Sequence, residues 1–146
     1  MPEYHQSQIN MFLKCPRQYM FRYLMGIRSQ PKAALTLGSA FDTATTVNLT
    51  QKIETKEDLK VSEVLDAYSD DFDKRSPDTE WADDDPGEQK DMGARMIKVF
   101  QEQGAPGIVP ATVQEGFRIE GDDGYARVGT MDFTDVDGFV RDTKTL

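Results

Sequence analysis

The chain has 146 residues, of which 38% are hydrophobic and 29% charged, and this size and composition are typical of one globular domain. No apolar run approaches the roughly 18 residues of a membrane helix, and the N-terminus lacks the pattern of an export signal, so we expect a cytoplasmic protein without a membrane partner. The single cysteine, Cys15, excludes an internal disulfide and a zinc or iron-sulfur site built within this chain alone.

The net charge of -9 is unevenly distributed along the chain. Residues 1–32 hold five lysines and arginines against one glutamate, whereas the excess acid is concentrated between Asp70 and Asp91. Because phosphate binding normally requires a basic surface, the total charge argues against a nucleic-acid partner, while the basic N-terminal arm is compatible with one. The other interpretation of the acidic run is a solvated loop and helix face.

Apolar spacing and capping signals predict helices through the first hundred residues or so. Ser7 is a candidate N-cap of a short first helix, and Pro16 suits the first turn of a second. A longer helix is predicted from about Ala33 to Leu49. Its predicted buried stripe consists of Leu37, Phe41, Ala44 and Asn48.

Two further amphipathic helices are predicted in the middle of the chain. Thr55 and Asp58 form a capping-box pattern ahead of the first helix, and Asp85 with Pro86 starts the second. Trp81 is the expected anchor of the polar connection between them. The predicted buried residues are Val61, Val64, Leu65, Tyr68 and Phe72 in the first helix and Met92, Met96, Val99 and Phe100 in the second.

Beyond Pro110 the hydrophobic period changes from about 3.6 to about 2, which indicates β-strands. Three strands are predicted, at about Ala111–Glu120, Tyr125–Phe133 and Phe139–Leu146, with turns between them. The fold class predicted from this order is α/β, with helices flanking a mixed sheet whose C-terminal part is an antiparallel meander.

Two acids, Asp132 and Asp142, interrupt the last two predicted strands. A two-residue turn at Asp137-Gly138 would place Asp142 on the opposite face of the sheet from Asp132. A three-residue turn of residues 136–138 would instead place the two aspartates directly opposite each other. Because a left-handed glycine suits the third position of such a turn, we predict the second register.

Two half-buried carboxylates side by side repel each other unless a positive group lies between them. Magnesium is a natural candidate, since it is typically held by one or two carboxylates together with waters and substrate phosphates. Lys144, on the face of Asp142, is placed to attract a phosphate oxygen or a water. This pattern favours phosphodiester hydrolysis, and the competing interpretation is a surface sheet face with one Asp-Lys pair.

Three segments resemble motifs of one nuclease family. The segment GTMDFTDVDGFVRDTKT is similar to the core signature of the PD-(D/E)XK phosphodiesterase superfamily in its RecB-like branch. SQINMFLKCPRQYMFRYLMGI and LTLGSAFD resemble the opening pattern and the next helix of that branch. The resemblance implies a restriction-endonuclease-like fold and a metal-dependent DNA nuclease, with a bacterial or phage-encoded exonuclease of recombination or repair as the most specific expectation.

Position by position, the resemblance implies a metal site and a catalytic lysine. Asp132, Asp142 and the backbone carbonyl of Thr143 would bind Mg²⁺ or Mn²⁺, and Lys144 would orient the attacking water and stabilise the transition state. Asp42 occupies a position where this branch usually has a histidine. An aspartate there still offers an oxygen ligand to the metal.

Two more positions of the resemblance have alternative interpretations. Glu115 on the first predicted strand is either a carboxylate that supports the metal ligands or an edge residue that faces solvent. Cys15 matches a cysteine that some members use as the first ligand of a [4Fe-4S] cluster. Since the three partner cysteines would have to lie outside this chain, we expect Cys15 to be a packed thiol.

The N-terminal arm alternates basic and aromatic residues. Arg17 and Arg22 are expected to contact DNA phosphates. The rings between and beside them, Tyr19, Phe21 and Tyr23, either stack on bases of single-stranded DNA or belong to the hydrophobic core, and the second interpretation is preferred at this point.

Members of this branch continue past the Asp-x-Lys strand, so we expect residues 1–146 to form a single nuclease domain truncated after that strand. The expected partners are DNA and a helicase or recombinase, in the cytoplasm of a bacterium or of a phage-infected host cell. Two rival functions remain open: a non-catalytic DNA-binding or assembly module on a degenerate nuclease fold, and an acidic body that mimics DNA in a partner's basic groove.

Overall fold

The computed structural model describes residues 1–145 and has most of its helices before most of its strands. The α-helices are α1 (Gln6–Lys14), α2 (Pro16–Tyr19), α3 (Ala33–Thr55), α4 (Val61–Arg75) and α5 (Pro86–Val99). The strands are β1 (Glu3–His5), β2 (Pro110–Glu120), β3 (Ala126–Asp135) and β4 (Val140–Arg141). Helices α2 and α5 each continue into a π-helical turn, at Met20–Leu24 and Phe100–Gly104.

The chain divides into two compact units. The N-terminal unit contains Met1–Ser29 and Glu115–Met131, and the main unit contains Gln30–Gln114 and Asp132–Leu146. Helices α3 to α5 and the turn between β3 and β4 therefore belong to the main unit, whereas β1, α1 and α2 belong to the N-terminal unit.

The four strands form one mixed sheet in the order β1-β3-β2, with β4 also paired to β3. β1 pairs with β3 in parallel, with Glu3 opposite Ala126. β4 pairs with β3 antiparallel, with Phe133 opposite Arg141. The predicted α/β class, a mixed sheet flanked by helices, is confirmed. Strand β1 was not predicted, because three residues are too few for a period of two to be recognised.

In the N-terminal unit, α1 begins directly after β1. The backbone N–H of His5 donates to Oε1 of Gln8 at 2.8 Å, which satisfies one donor at the start of the helix. Ser7 therefore lies inside the first turn, and its predicted role as the N-cap is wrong. Pro16 opens α2 as predicted, because a residue without an N–H is tolerated in the first turn.

Helices α3, α4 and α5 pack together and form the core of the main unit. The predicted stripes of α3 and α4 are confirmed as buried, with half-buried positions at Val61 and Leu65. The buried positions are Leu37, Phe41, Ala44 and Asn48 in α3 and Val64, Tyr68 and Phe72 in α4. Trp81 is the predicted anchor, since its ring lies 5.7 Å from that of Phe72. Within residues 1–145, no helix combines the length and the apolar character that a membrane span requires.

The link between α3 and α4 differs from the prediction. Thr55 is the last residue of α3 rather than a helix start, so the predicted capping box of Thr55 and Asp58 is wrong. The Asp58 carboxylate instead accepts from Nδ2 of Asn48 and from Nζ of Lys52, both at 2.9 Å. Lys52 also donates to the carbonyl of Ala105 at 2.7 Å, so the link is held to α3 by a largely buried polar network.

Helix α5 has its predicted N-cap, Asp85, but its buried face is turned relative to the prediction. Met92 and Val99 are exposed, whereas Ile97 is fully buried. The cause lies at Gly93, where a Cβ would overlap the hydroxyl of the Tyr68 side chain. The Tyr68 ring on α4 occupies the space that Gly93 leaves free. The stripe that contains Gly93 and Ile97 therefore faces the core.

Candidate metal centre

Strands β3 and β4 are joined by a three-residue turn that ends at Gly138, which has a φ of 85°. This left-handed conformation is the one predicted for the third residue of the turn. Phe133 lies opposite Arg141, and extending this register by one residue places Asp132 opposite Asp142. The predicted register of the hairpin is therefore confirmed.

The last predicted strand is shorter in the structure than expected. Only Val140–Arg141 pairs with β3, and residues 142–145 have no regular secondary structure. Leu146, the predicted end of this strand, lies outside the described residues. The segment Asp142–Lys144 therefore follows β4, and the alternation of faces along a strand does not determine where Lys144 points.

A buried carboxylate, Asp135, organises this turn. It accepts hydrogen bonds from the backbone N–H groups of Asp137 and Phe139, both at 3.0 Å, and forms an ion pair with Arg141 at 2.8 Å. The Phe139 N–H and the Arg141 guanidinium lower the pKa of Asp135, which overcomes its desolvation. Sequence reasoning missed this residue. An aspartate at the first position of a turn with glycine three residues later is nevertheless a recognisable turn signal.

Asp132 and Asp142 interact directly. Desolvation, together with the hydrogen bond that protonated Asp132 donates to Asp142 and the negative charges of Asp142 and Asp42, raises the pKa of Asp132 to about 6. The hydrogen bond from Asp132 and the ammonium group of Lys144 lower the pKa of Asp142. Below about pH 6, the pair therefore favours a state with one shared proton in place of two negative charges.

Asp42 on α3 joins this acidic pair electrostatically. Its neighbour Phe41 is buried and fixes the helix in the core, while the carboxylate is open to solvent. Partial desolvation raises the pKa of Asp42, and the negative charge of Asp142 adds to the increase. Gly38, one turn earlier, lets the segment after β4 approach the helix, since a Cβ there would lie 3.3 Å from Oγ1 of Thr145.

Lys144 is the positive group of the cluster. Its Nζ lies 2.6 Å from Oδ2 of Asp142, and both side chains are more than half exposed. This ion pair raises the pKa of Lys144. The lysine pairs with Asp142 alone, so the repulsion between Asp132 and Asp42 is only partly offset.

The donor set fits a hard divalent cation, although it does not enclose one. In the part of the chain that the structure describes, no three acidic, histidine or cysteine side chains converge into a preformed metal cage. The available donors are carboxylate oxygens that repel one another, and a cation between them would remove that repulsion. Magnesium commonly takes only one or two protein carboxylates and completes its coordination with waters and phosphate oxygens, so an open set is sufficient.

Thr143 lies in the main unit between Asp142 and Lys144, whereas the remaining predicted site residues lie in the N-terminal unit. Glu115 is exposed, and Gln114 before it has a φ of 53°, which interrupts the alternation of faces along β2. Cys15 is half-buried between α1 and α2, and Arg17 and Arg22 are exposed. The structure therefore brings together Asp42, Asp132, Asp142 and Lys144 in the main unit. The roles of all these residues stay predictions.

Comparison with known proteins gives one match. The model of the PD-(D/E)XK nuclease superfamily matches residues 5–146, nearly the whole chain and all of the described acidic cluster. Curated proteins and solved structures give no significant match.

Proposed function

The chain belongs to the PD-(D/E)XK nuclease superfamily, and from this premise we propose that it is a Mg²⁺- or Mn²⁺-dependent deoxyribonuclease. We place it in the RecB-like branch as an exonuclease of recombination or repair. The proposal includes action on DNA in the cytoplasm, a helicase or recombinase as the protein partner, and a nuclease domain formed by the whole chain.

The observation that carries this proposal is the unfavourable pairing of Asp132 with Asp142. Burial and the neighbouring acid raise the pKa of Asp132 to about 6, which shows that its negative charge is unfavourable in the folded chain. A protein that needed these residues only for stability would become more stable if one of them were replaced. Asp42, Asp132, Asp142 and the carbonyl of Thr143 would hold the cation. A bound divalent cation would neutralise the carboxylates and polarise a phosphate oxygen and a water.

The residues of the chain have separate roles in hydrolysis. A water oxygen attacks the phosphorus, the bond to the leaving sugar oxygen breaks, and the proton of the water must be transferred away. Lys144 would hold the attacking water and stabilise the negative charge that develops on the phosphate oxygens. Asp142, 2.6 Å from the ammonium group, would hold Lys144 in position.

The test compares wild type with Lys144→Ala on linear and circular DNA, single- and double-stranded, with Mg²⁺, Mn²⁺ or EDTA. Wild type should degrade linear DNA only when a metal is present, and Lys144→Ala should be slower by about 10²- to 10³-fold. Lys90→Ala is the matched control, since it removes another lysine paired with an aspartate, Asp73, at 2.7 Å. Equal activity of wild type and Lys144→Ala would contradict the assignment, and cleavage of circular DNA would contradict the exonuclease.

The second candidate is a non-catalytic DNA-binding or assembly module on a degenerate nuclease fold. It is favoured by the lack of a preformed metal cage in the described residues and by Asp42 at a position expected to be histidine. In the same assay, this function predicts that DNA is retained in EDTA and never degraded with either metal.

A further inference from the structure

We propose that the N-terminal unit contains a binding site for unpaired nucleotide bases, which would direct the nuclease to single-stranded DNA; this inference rests on the proposed function. The site is an open cleft of about 510 Å³, called the aromatic cleft below. Among the residues that line it are Tyr4, Phe12, Tyr19, Tyr125 and Arg127.

The rings of the aromatic cleft form two edge-on pairs. The centroids of Tyr4 and Tyr125 are 5.7 Å apart, and those of Phe12 and Tyr19 are 5.5 Å apart. Phe12 is 51% exposed and Tyr125 is 46% exposed, so one ring of each pair is open to a ligand. Exposed rings at the wall of a cleft are the groups on which nucleobases stack regardless of sequence.

The neighbouring helical segment does not supply a hydrophobic core. No residue of α1, α2 or the π-helical turn is buried, although this segment contains four aromatic rings. Tyr19 and Tyr23 are half-buried and Phe21 is exposed, so the preferred sequence interpretation, in which most of these rings belong to the core, is wrong. Tyr23 extends the row of rings, since its centroid lies 5.0 Å from that of Tyr19.

The charges of the N-terminal arm, which supplies part of the cleft, favour a polyanion. Within residues 1–145, no ion pair is formed by the basic side chains of the N-terminal arm. Those that belong to the N-terminal unit are Lys14, Arg17, Arg22 and Arg28. Arg17 lies 5.7 Å from the centre of the Phe21 ring, and Arg22 lies 5.8 Å from that of Tyr23, so both cations lie over rings of the helical segment that contributes Tyr19 to the cleft.

The charge of the N-terminal unit contrasts with that of the rest of the chain. This unit has six lysines and arginines against five acids, whereas the main unit has eleven against twenty-one. Asp123 and Arg127, which both line the cleft, neutralise each other at 2.7 Å. A nucleic-acid strand, with bases on the rings and phosphates near the arginines, therefore fits this unit better than an apolar peptide.

The experiment measures binding in EDTA, where no cleavage occurs, by fluorescence anisotropy of a labelled oligothymidine of about 12 nucleotides. An abasic oligonucleotide of the same length provides the same phosphates without bases. Wild type should bind oligothymidine more tightly than the abasic strand. Phe12→Leu and Tyr125→Leu should each weaken oligothymidine binding about fivefold to tenfold and leave abasic binding unchanged.

Phe117→Leu is the control, because Phe117 is an exposed ring of the same unit, 38% accessible, that does not line the cleft. Circular dichroism verifies that each variant is folded, and two independent ring variants prevent one folding failure from deciding the result. Equal affinity of wild type for oligothymidine and the abasic strand would overturn the proposal, and so would an equal loss of oligothymidine affinity in Phe117→Leu. Either result would favour a protein segment as the occupant of the cleft. Base-dependent binding without cleavage would contradict the proposed function alone, and cleavage without base dependence would contradict this inference alone.

Discussion

Two aspartates of the main unit show opposite solutions to the same problem. Asp58 is half-buried beside Lys52 and Asn48, both at 2.9 Å, so its charge is compensated by an ammonium group and an amide. Asp132 is also half-buried, but the charges that act most strongly on it are the negative ones of Asp142 and Asp42. The first arrangement lowers the free energy of the folded chain, while the second raises it unless a cation binds.

The difference indicates where the molecule is built for stability and where for function. Around Asp58, the side chains of Asn48 and Lys52 donate to the carboxylate, so its charge is paired and hydrogen-bonded. Around Asp132, the confirmed register of the hairpin brings a second acid against the first. A local conflict of this kind is typical of a functional site, since a stable but inert protein would remove it.

The largest expected effect on stability comes from breaking the compensated site. Asp58→Ala should lower the free energy of unfolding by about 2–3 kcal/mol, because it leaves the ammonium group of Lys52 buried without its partner. Asp73→Ala is the control and should cost less than about 0.5 kcal/mol, since its pair with Lys90 is exposed. Urea unfolding measures both, and equal values would contradict the distinction.

The next effect concerns the turn that brings the acids together. Asp135→Ala removes the acceptor for two backbone N–H groups and the partner of Arg141, so Mn²⁺ affinity should fall about 10- to 100-fold. Asp137→Ala, in the same turn, should leave it unchanged, because only the backbone of Asp137 is used. Calorimetric titration of both folded variants is the measurement. Unchanged Mn²⁺ affinity in Asp135→Ala would show that the turn keeps its conformation without the Asp135 side chain.

A smaller effect should appear in the pH dependence of stability without metal. The folded pKa of Asp132, about 6, is above its unfolded value of 3.8, so the folded chain binds more protons between these values. This contribution is present below about pH 3.8 and is lost as the pH rises to 6. After discounting for solvent exposure, its size is on the order of 1 kcal/mol.

Asp132→Asn should flatten this part of the profile and stabilise the metal-free protein at pH 7. Thermal unfolding in EDTA between pH 4 and 7 measures the slope. The pKa of Asp135 is lowered, so its stabilisation is lost only as the pH falls below about 3.8, outside this window. A mutant that is less stable than wild type at pH 7 would show that the carboxylate of Asp132 is compensated after all.

The smallest effect on the free energy of unfolding is expected at Thr55, which ends α3 instead of capping α4. Thr55→Ala should change the free energy of unfolding by less than about 0.5 kcal/mol, because its hydroxyl bonds only to exposed groups of Gln51 and Glu57. A loss near 1 kcal/mol in urea unfolding would restore a capping role for Thr55.

The hairpin was predictable because its determinants are local. Gly138 and the count of three turn residues define the register, and the register alone places Asp132 opposite Asp142. The proximity of Asp42 was expected only from the resemblance to a family, since no local pattern connects α3 with the segment after β4.

Two of the failed predictions depend on side-chain partners that the helical patterns do not reveal. Asp58 matched a helix-start pattern, but the ammonium group of Lys52 was a stronger partner than a backbone N–H. The buried face of α5 depends on the Tyr68 ring resting on Gly93, and this contact between two helices has no signal in the sequence of either one. Local patterns therefore predicted the acid pair but not the packing that surrounds it.

The most direct test of the central claim is calorimetric titration of Mn²⁺ into wild type and Asp132→Asn at pH 7.5. If the clustered acids require a cation, wild type should bind Mn²⁺, and Asp132→Asn should bind it at least tenfold more weakly, a loss of about 1.4 kcal/mol. Equal affinity in the two proteins, or no binding to wild type, would contradict the claim.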